Sequence, residues 1–177
     1  EASEAPHLLT EVTDGVLIAT LNRPKKLNAI SRDMMDLLTD AVLQLRDTDE
    51  IKVMLIRATG RYFSSGADLR SGNQRVVSPT NSGYKSARSI RENHRLNLNN
   101  MQQLWDEMEH IEKPIVAAHH AMCVGGGLEM SLSCDFRFAA QSAGYAFPEG
   151  LFGVLPASSG VSRLTRICGP HWARWLI

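Results

Sequence analysis

The order of apolar and polar residues predicts strands and helices alternating along most of the chain. His7 to Thr13 and Val16 to Asn22 are strand-like runs joined at Asp14-Gly15, a pair suited to positive φ in a tight turn. Arg23-Pro24 stops the second run, because proline cannot donate to a ladder. Ser31 is placed as a helix N-cap, and Met34, Leu37, Leu38, Ala41, Val42 and Leu45 then recur at helical spacing. The apolar run Val53 to Ile56 reads as a buried strand ending at Thr59-Gly60. Residues 71–84, rich in Gly, Ser, Asn and Pro, read as a loop, and a polar helix is expected from Lys85 to Ile111. Pro114 to His119 is a second buried strand, and Gly125-Gly126-Gly127 opens a short helix through Ser133. A strand over Asp135 to Ala140, a loop from Pro148 to Pro156 and a helix over Ser159 to Ile167 complete the pattern. Such alternation indicates an α/β fold with a loose strand–strand–helix rhythm and no fixed-period repeat.

Composition narrows the function classes. The 177 residues suit one domain, and 44% hydrophobic with 21% charged residues excludes a disordered, collagen-like or coiled-coil chain. Lys plus Arg and Asp plus Glu are both 19, so no global basic surplus favours nucleic acid. The longest uncharged stretch, Pro114 to Leu128, is interrupted by His119, His120 and three glycines and falls short of the roughly 20 apolar residues of a membrane span. The start, EASEAPHLL, lacks the features of a signal peptide. Cys123, Cys134 and Cys168 are odd in number and show neither CxxC nor zinc-ligand spacing, so reduced thiols and no metal site are expected. The expectation is an intracellular, cytoplasmic protein, or one of the mitochondrial matrix in a eukaryote.

Candidate chemistry concentrates after the glycines. A helix opening at Gly125 to Gly127 presents unpaired backbone N–H groups and a positive dipole end, which suits an oxyanion hole or a phosphate cradle; a tight packing turn accounts for the same glycines. No G-x-x-x-x-G-K-[ST], G-x-G-x-x-G or G-x-S-x-G motif is present, which removes the P-loop and lowers the Rossmann and serine-hydrolase readings. Glu129 falls on the first turn of that helix, and Glu149 sits in the apolar stretch AFPEGLFGVLP. Carboxylates in apolar surroundings favour the acid form, and two of them beside a donor-lined pocket suit proton transfer next to a carbonyl. Each also has a plain reading, as a charge at a helix start and as a loop surface charge. Gly66-Ala67-Asp68 offers a second bend from which an N–H can point inward. Between Arg70 and Arg95, six basic residues face only Glu92, a local excess that suits either phosphates or a solvated face. His119 and His120, adjacent in a strand, point to opposite faces, one into the core and one outward.

Four stretches, taken in order, resemble the signatures of the crotonase family, the enoyl-CoA hydratase/isomerase superfamily. They are LNRPKKLNAIS (Leu21 to Ser31), FSSGADLR (Phe63 to Arg70), CVGGGLEMSLSCDFRFA (Cys123 to Ala139) and FPEGLFGVLP (Phe147 to Pro156). The resemblance implies a crotonase-like ββα spiral that assembles as a homo-trimer or dimer of trimers. It implies a coenzyme A thioester as substrate, with no cofactor beyond the CoA that the substrate carries. Ala67 and Gly126 match the oxyanion-hole positions, and Glu129 and Glu149 the two acid/base glutamates. By that analogy Glu129 activates the water that adds at C3 and Glu149 delivers the proton to C2. Asp68, Leu69 and Arg70 fall with Ala67 and Gly126 where the family lines its CoA site, and Lys25 or Lys26 would reach a phosphate.

The expected activity is enoyl-CoA hydratase, reversible syn addition of water to a trans-2-enoyl-CoA. Isomerisation or hydroxyacyl-CoA dehydration on the same scaffold, or acyl-CoA binding without turnover, are the alternatives. Zero net charge gives an RNA-binding role little support. Where hydratases of the family read P-G-x-G-G, this chain has Pro156-Ala157-Ser158-Ser159-Gly160. Ala157 bears on placement of the catalytic water, and Ser158 and Ser159 are candidates to contact a polar acyl group. Gly150 stands where a larger apolar residue is common, a candidate for a wider pocket. Family members continue past the position of Trp172 to Ile177 through pocket-completing helices. Residues 1–177 are therefore read as a single core domain cut short at its C-terminal end.

Overall fold

A computed structural model describes residues 5–69 and 101–177. Strands β1 (Leu8–Thr13) and β2 (Val16–Leu21) pair antiparallel, with Leu8 opposite Leu21 and Thr13 opposite Val16. Asp14 and Gly15, at φ 51° and 78°, form the turn that their sequence predicts. Chain direction then becomes parallel. β3 (Val53–Ala58) lies beside β2, β5 (Ile115–His119) beside β3 and β7 (Phe136–Ala139) beside β5, giving a five-stranded sheet ordered β1-β2-β3-β5-β7. A second sheet of β4 (Tyr62–Ser64), β6 (Met122–Val124) and β8 (Tyr145–Ala146) is also parallel, ordered β4-β6-β8. Each of its strands follows one strand of the first sheet after a short bend. The loose rhythm in the sequence is therefore a repeated strand–strand turn of a spiral, with helices closing the turns.

Among the described residues, four α-helices fill the gaps. α1 (Arg32–Asp47) starts at Ser31, whose Oγ accepts from the Met34 N–H at 3.2 Å and is also bonded to His7 Nδ1 at 2.8 Å. A cap of this kind contributes about 1 kcal/mol. The helix buries Met34, Leu38, Ala41, Val42 and Leu45 in one core with Leu17, Leu21, Met54 and Ile56. α2, helical over residues 101–110, adds Trp105 and Met108. The expected loop over 71–84 and helix over 85–100 lie outside the described residues. α3 (Gly126–Leu132) is buried along its whole length. α4 (Gly160–Leu176) runs well beyond the expected Ile167: Gly169, at φ 79° and ψ 166°, breaks it and Pro170 restarts it in the first-turn position that proline tolerates.

Other expectations are corrected as well. The segment after Phe147 is a 3-10 helix (Pro148–Phe152) rather than a plain loop, with proline again setting the first turn. The strand begun at Val53 continues to Ala58. No helix among the described residues is long and apolar enough to cross a membrane.

His119 is the core histidine and His120 the outward one, as strand alternation requires. The buried ring is bonded on both nitrogens, Nε2 with Ser131 Oγ and Nδ1 with the Tyr145 hydroxyl, each at 2.9 Å, and Phe63 meets it edge-on at 4.5 Å. β5, α3 and β8 are thereby joined through one neutral imidazole. Burial, with smaller contributions from the charges of Arg137 and His120, holds its pKa down at about 4. In the unfolded chain the ring takes up a proton near pH 6.5. The neutral ring's stabilisation is thus complete above that value and is lost as pH falls from about 6.5 to about 4, by up to about 3 kcal/mol. Thermal unfolding of wild type and His119→Gln across that window should show the stability difference shrinking toward acid. A constant difference would contradict it.

Candidate active site

Two loops bring backbone donors together. Gly125, at φ 54° and ψ −133°, turns the chain from β6 into α3 and is fixed by its own N–H to Ala146 O at 3.1 Å. Opposite it, Ile30 bridges Ala67: the Ile30 N–H donates to Gly66 O at 2.8 Å and the Asp68 N–H to Ile30 O at 2.9 Å. In such pairing the intervening Ala67 N–H faces away from Ile30. A Cβ on Gly126 would lie 3.3 Å from that Ala67 nitrogen, so only glycine permits the approach without displacement. Among the described residues neither the Ala67 nor the Gly126 N–H has an acceptor. Two adjacent unpaired donors, one of them at a helix start, suit an oxygen that gains negative charge.

A polar scaffold holds the Ala67 side. Asn28 is fully buried in the left-handed region at φ 51°, where asparagine is tolerated. Its Oδ1 accepts from the Arg23 N–H at 2.7 Å, and its Nδ2 donates to Thr59 O at 2.7 Å and Tyr62 O at 2.9 Å. The Ser64 hydroxyl donates to Asn28 O at 2.9 Å and accepts the Gly66 N–H at 3.2 Å. Asn28, Ser64 and Arg23 lie within the stretches LNRPKKLNAIS and FSSGADLR, but these contacts are not evident from the sequence. The one local signal was an asparagine in a tight turn.

Both glutamates come to this place. Glu129, 4% exposed on the first turn of α3, accepts with Oε1 from the Ser158 N–H at 2.8 Å and the Gly160 N–H at 3.1 Å, at the start of α4. Burial pushes its carboxyl up, the two N–H groups and the Arg163 charge draw it back, and the charge of Glu149 raises it further. Glu149 stands on the first turn of the 3-10 helix, with Oε1 only 2.9 Å from where a Gly125 Cβ would be. Its Oε2 is buried with no hydrogen-bond partner among the described residues, and burial raises its carboxyl too. The surface-charge reading of Glu149 is therefore overturned. Two carboxyls that both have the acid form favoured by burial suit holding a proton and passing it to a nearby atom.

The remaining expected residues divide. Asp68 is turned to Arg23, its Oδ2 2.9 Å from Nη1, with both side chains largely buried; it braces the Ala67 bend. Lys25 and Lys26 are exposed on a one-turn 3-10 helix (Pro24–Lys26) and form no ion pair among the described residues. Leu69 is 61% exposed, and Arg70 lies outside the described residues. Ala157 is exposed and does not occupy a positive φ, so glycine's freedom is not needed there. The left-handed residue is Ser159, at φ 68°. Ser158 is buried, its N–H given to Glu129. Gly150 is exposed, and a Cβ on it would look onto Ile177 O at 3.8 Å rather than onto either glutamate.

This arrangement, two unpaired N–H groups with the buried Glu129 and the half-buried Glu149 on a parallel spiral, coincides with a family assignment. The chain belongs to the enoyl-CoA hydratase/isomerase family, whose profile matches residues 11–177. It is 31% identical over 172 residues to the crotonyl-CoA hydratase of Syntrophomonas wolfei, covering 97% of this chain and 61% of that protein. Against the short-chain-enoyl-CoA hydratase of Clostridium acetobutylicum it is 29% identical over 175 residues, covering 98% and 62%. Among solved structures, an enoyl-CoA hydratase from Bacillus anthracis superposes with a TM-score of 0.80 at 26% identity, covering 97% of this chain and 62% of the other. The crotonase-fold expectation is thus met. The chain spans about three fifths of the length of these relatives.

Gly160 provides a direct test of the geometry. A Cβ there would lie 2.7 Å from Glu129 Oε1 and 3.0 Å from Phe147 Cζ, so Glu129 would have to move. Gly160→Ala should lower turnover by about 10²-fold or more while costing only about 1–3 kcal/mol of stability, read by steady-state kinetics and melting. Turnover within a factor of two of wild type would mean that the Glu129–Gly160 contact is dispensable.

Proposed function

We propose that this protein hydrates trans-2-enoyl-CoA thioesters. The observation that carries the reading is the buried Glu129 and the half-buried Glu149, both with raised carboxyls, beside the unpaired N–H groups of Ala67 and Gly126. The names of the relatives, crotonyl-CoA hydratase and short-chain-enoyl-CoA hydratase, support it.

In the proposed reaction the thioester oxygen accepts both N–H groups, which draws electron density from the conjugated double bond and leaves C3 electrophilic. Glu129, held through Oε1, takes a proton from water with its other oxygen as the water oxygen bonds to C3. The resulting enolate is stabilised by the same two donors, and Glu149 supplies the proton to C2. Delivery of water by Glu129 and of the proton by Glu149 to the same face of the double bond gives syn addition. The cycle needs one carboxyl ionised and one protonated, the condition that two groups with raised pKa values favour. No electrons are transferred, so no cofactor is required beyond the CoA of the substrate. Lys25 and Lys26, exposed and without carboxylate partners among the described residues, are the cations for CoA phosphates, with Leu69 and Arg70 as further CoA contacts. Assembly as a homo-trimer or dimer of trimers is part of the proposal. It is supported by the exposed Leu151, Phe152, Leu155, Trp172 and Trp175, apolar surface of the kind that protein contacts cover.

Glu149→Gln should reduce turnover by about 10²-fold or more with ester binding largely intact. Product mass on short, long, branched and aromatic enoyl-CoA esters should show the gain of one water. Isomerised product of unchanged mass, or binding without conversion, would overturn the roles given to Glu129 and Glu149.

A further inference from the structure

The hydrogen bonds to Glu129 come from a loop whose own conformation needs support. For Ser158 and Gly160 to aim their N–H groups at one oxygen, Ser159 between them must sit at φ 68°, a left-handed conformation that costs an L-residue about 1–2 kcal/mol. The same bend turns the Ser158 carbonyl away from Glu129, toward Arg163 in the first turn of α4. Arg163 Nη1 donates to that carbonyl at 3.0 Å. Its Nη2 is held by two carboxylates of α2, Asp106 and Glu109, the latter at 2.9 Å.

Arg163 is 2% exposed, and its Nε is buried with no partner among the described residues. A buried guanidinium with an unsatisfied donor is a poor way to stabilise a core, since apolar residues of similar volume commonly do as well or better. What an apolar residue cannot do is donate to Ser158 O while anchored to a separate helix. We propose that Arg163, anchored by Asp106 and Glu109, is a positioning residue that locks the Ser158–Gly160 bend and so holds the Glu129 carboxyl in its working orientation. The inference rests on the hydratase reading for the reaction but on geometry alone for the contact.

The charges facing Glu129 are Glu149 from the 3-10 helix and Arg163 from α4, the latter screened by Asp106 and Glu109 of α2. Arg163 favours the ionised form of Glu129 and Glu149 disfavours it. Removing Arg163 therefore takes away the one cation that draws Glu129 down among the described residues and loosens two N–H donors. Both changes favour the protonated carboxyl.

The test uses Arg163→Met, which keeps volume without charge or donor, and Arg163→Lys, which keeps the charge but cannot bridge Ser158 O and both carboxylates. In each, kcat should fall by about 10- to 100-fold with KM within about threefold, and Arg163→Met should also move the acid limb of kcat/KM to higher pH. In a Glu129→Gln background, Arg163→Met should cause no further loss of rate. Carbon-13 NMR titration of the Glu129 carboxyl should show a higher pKa in Arg163→Met than in wild type, a readout independent of which reaction is catalysed. An unchanged Glu129 titration and acid limb, with only the melting temperature altered, would overturn the inference. Where Arg163→Met does not fold, the Asp106→Asn/Glu109→Gln pair, which frees the guanidinium at the surface end, should lower kcat without changing KM; unchanged kcat there overturns it equally. A fully active Glu129→Gln would instead remove the hydratase reading and leave the NMR result standing.

Discussion

A carboxylate buried against the start of another helix sets the terms for this structure. Glu129 Oε1 takes two N–H groups that open α4, groups that would otherwise lack partners, and in doing so ties α3 to α4 in the interior. Two N–H donors and a helix dipole compensate part of the cost of desolvation, yet burial remains the largest influence on the group. The result is a carboxyl that is structurally anchored but not strongly acidic. One oxygen is committed to the fold, and the other carries no hydrogen bond among the described residues. α4 reaches the second glutamate as well, because its last turn accepts the Phe147 N–H at Leu176 O, 2.8 Å away, two residues before Glu149.

The donor side obeys a similar logic with neutral groups. Ala67 and Gly126 belong to different layers of the spiral, and their nitrogens come close only because neither Gly66 nor Gly126 has a side chain between them. Close approach alone would leave the Ala67 bend free to relax. Asn28 prevents this by bonding outward to Arg23, Thr59 and Tyr62 while its carbonyl holds Ser64, which in turn holds Gly66. The Arg23–Asp68 ion pair closes the other side of the bend. An oxyanion site needs donors that do not reorganise as charge develops, and a chain of buried, mutually satisfied polar groups supplies that rigidity.

Local chemistry was legible in the sequence, and long-range chemistry was not. Asp14-Gly15, the Ser31 cap and the α1 stripe each depend on neighbours within a turn or two, so pattern and propensity locate them well. The strands β4, β6 and β8 have three, three and two residues, too few to show periodicity; their partners across the second sheet hold them in place. Pro148 is ambiguous in sequence because proline marks both turns and helix starts. The glutamates and glycines are named from type and spacing, but Asn28 and Ser64 meet across 36 residues and Arg163 reaches Glu109 across 54, through contacts that no window contains.

The serine at Ser159 shows most clearly why position in a motif and physical demand differ. By resemblance the missing glycine at Ala157 looked consequential, yet Ala157 is exposed and conformationally ordinary. The demanding position is two residues later, where serine also stands in place of glycine and is held left-handed. Such a residue persists only where its surroundings over-determine it. Here Glu129 fixes the N–H groups on either side, and Arg163 donates to the carbonyl of Ser158 before it. Strain at Ser159 and burial of Glu129 therefore depend on each other: without the bend the carboxylate loses its donors, and without the carboxylate the bend loses its reason to hold. A glycine at Ser159 would adopt the bend without strain but would also leave it more easily. The serine makes the bend conditional on both neighbours being in place.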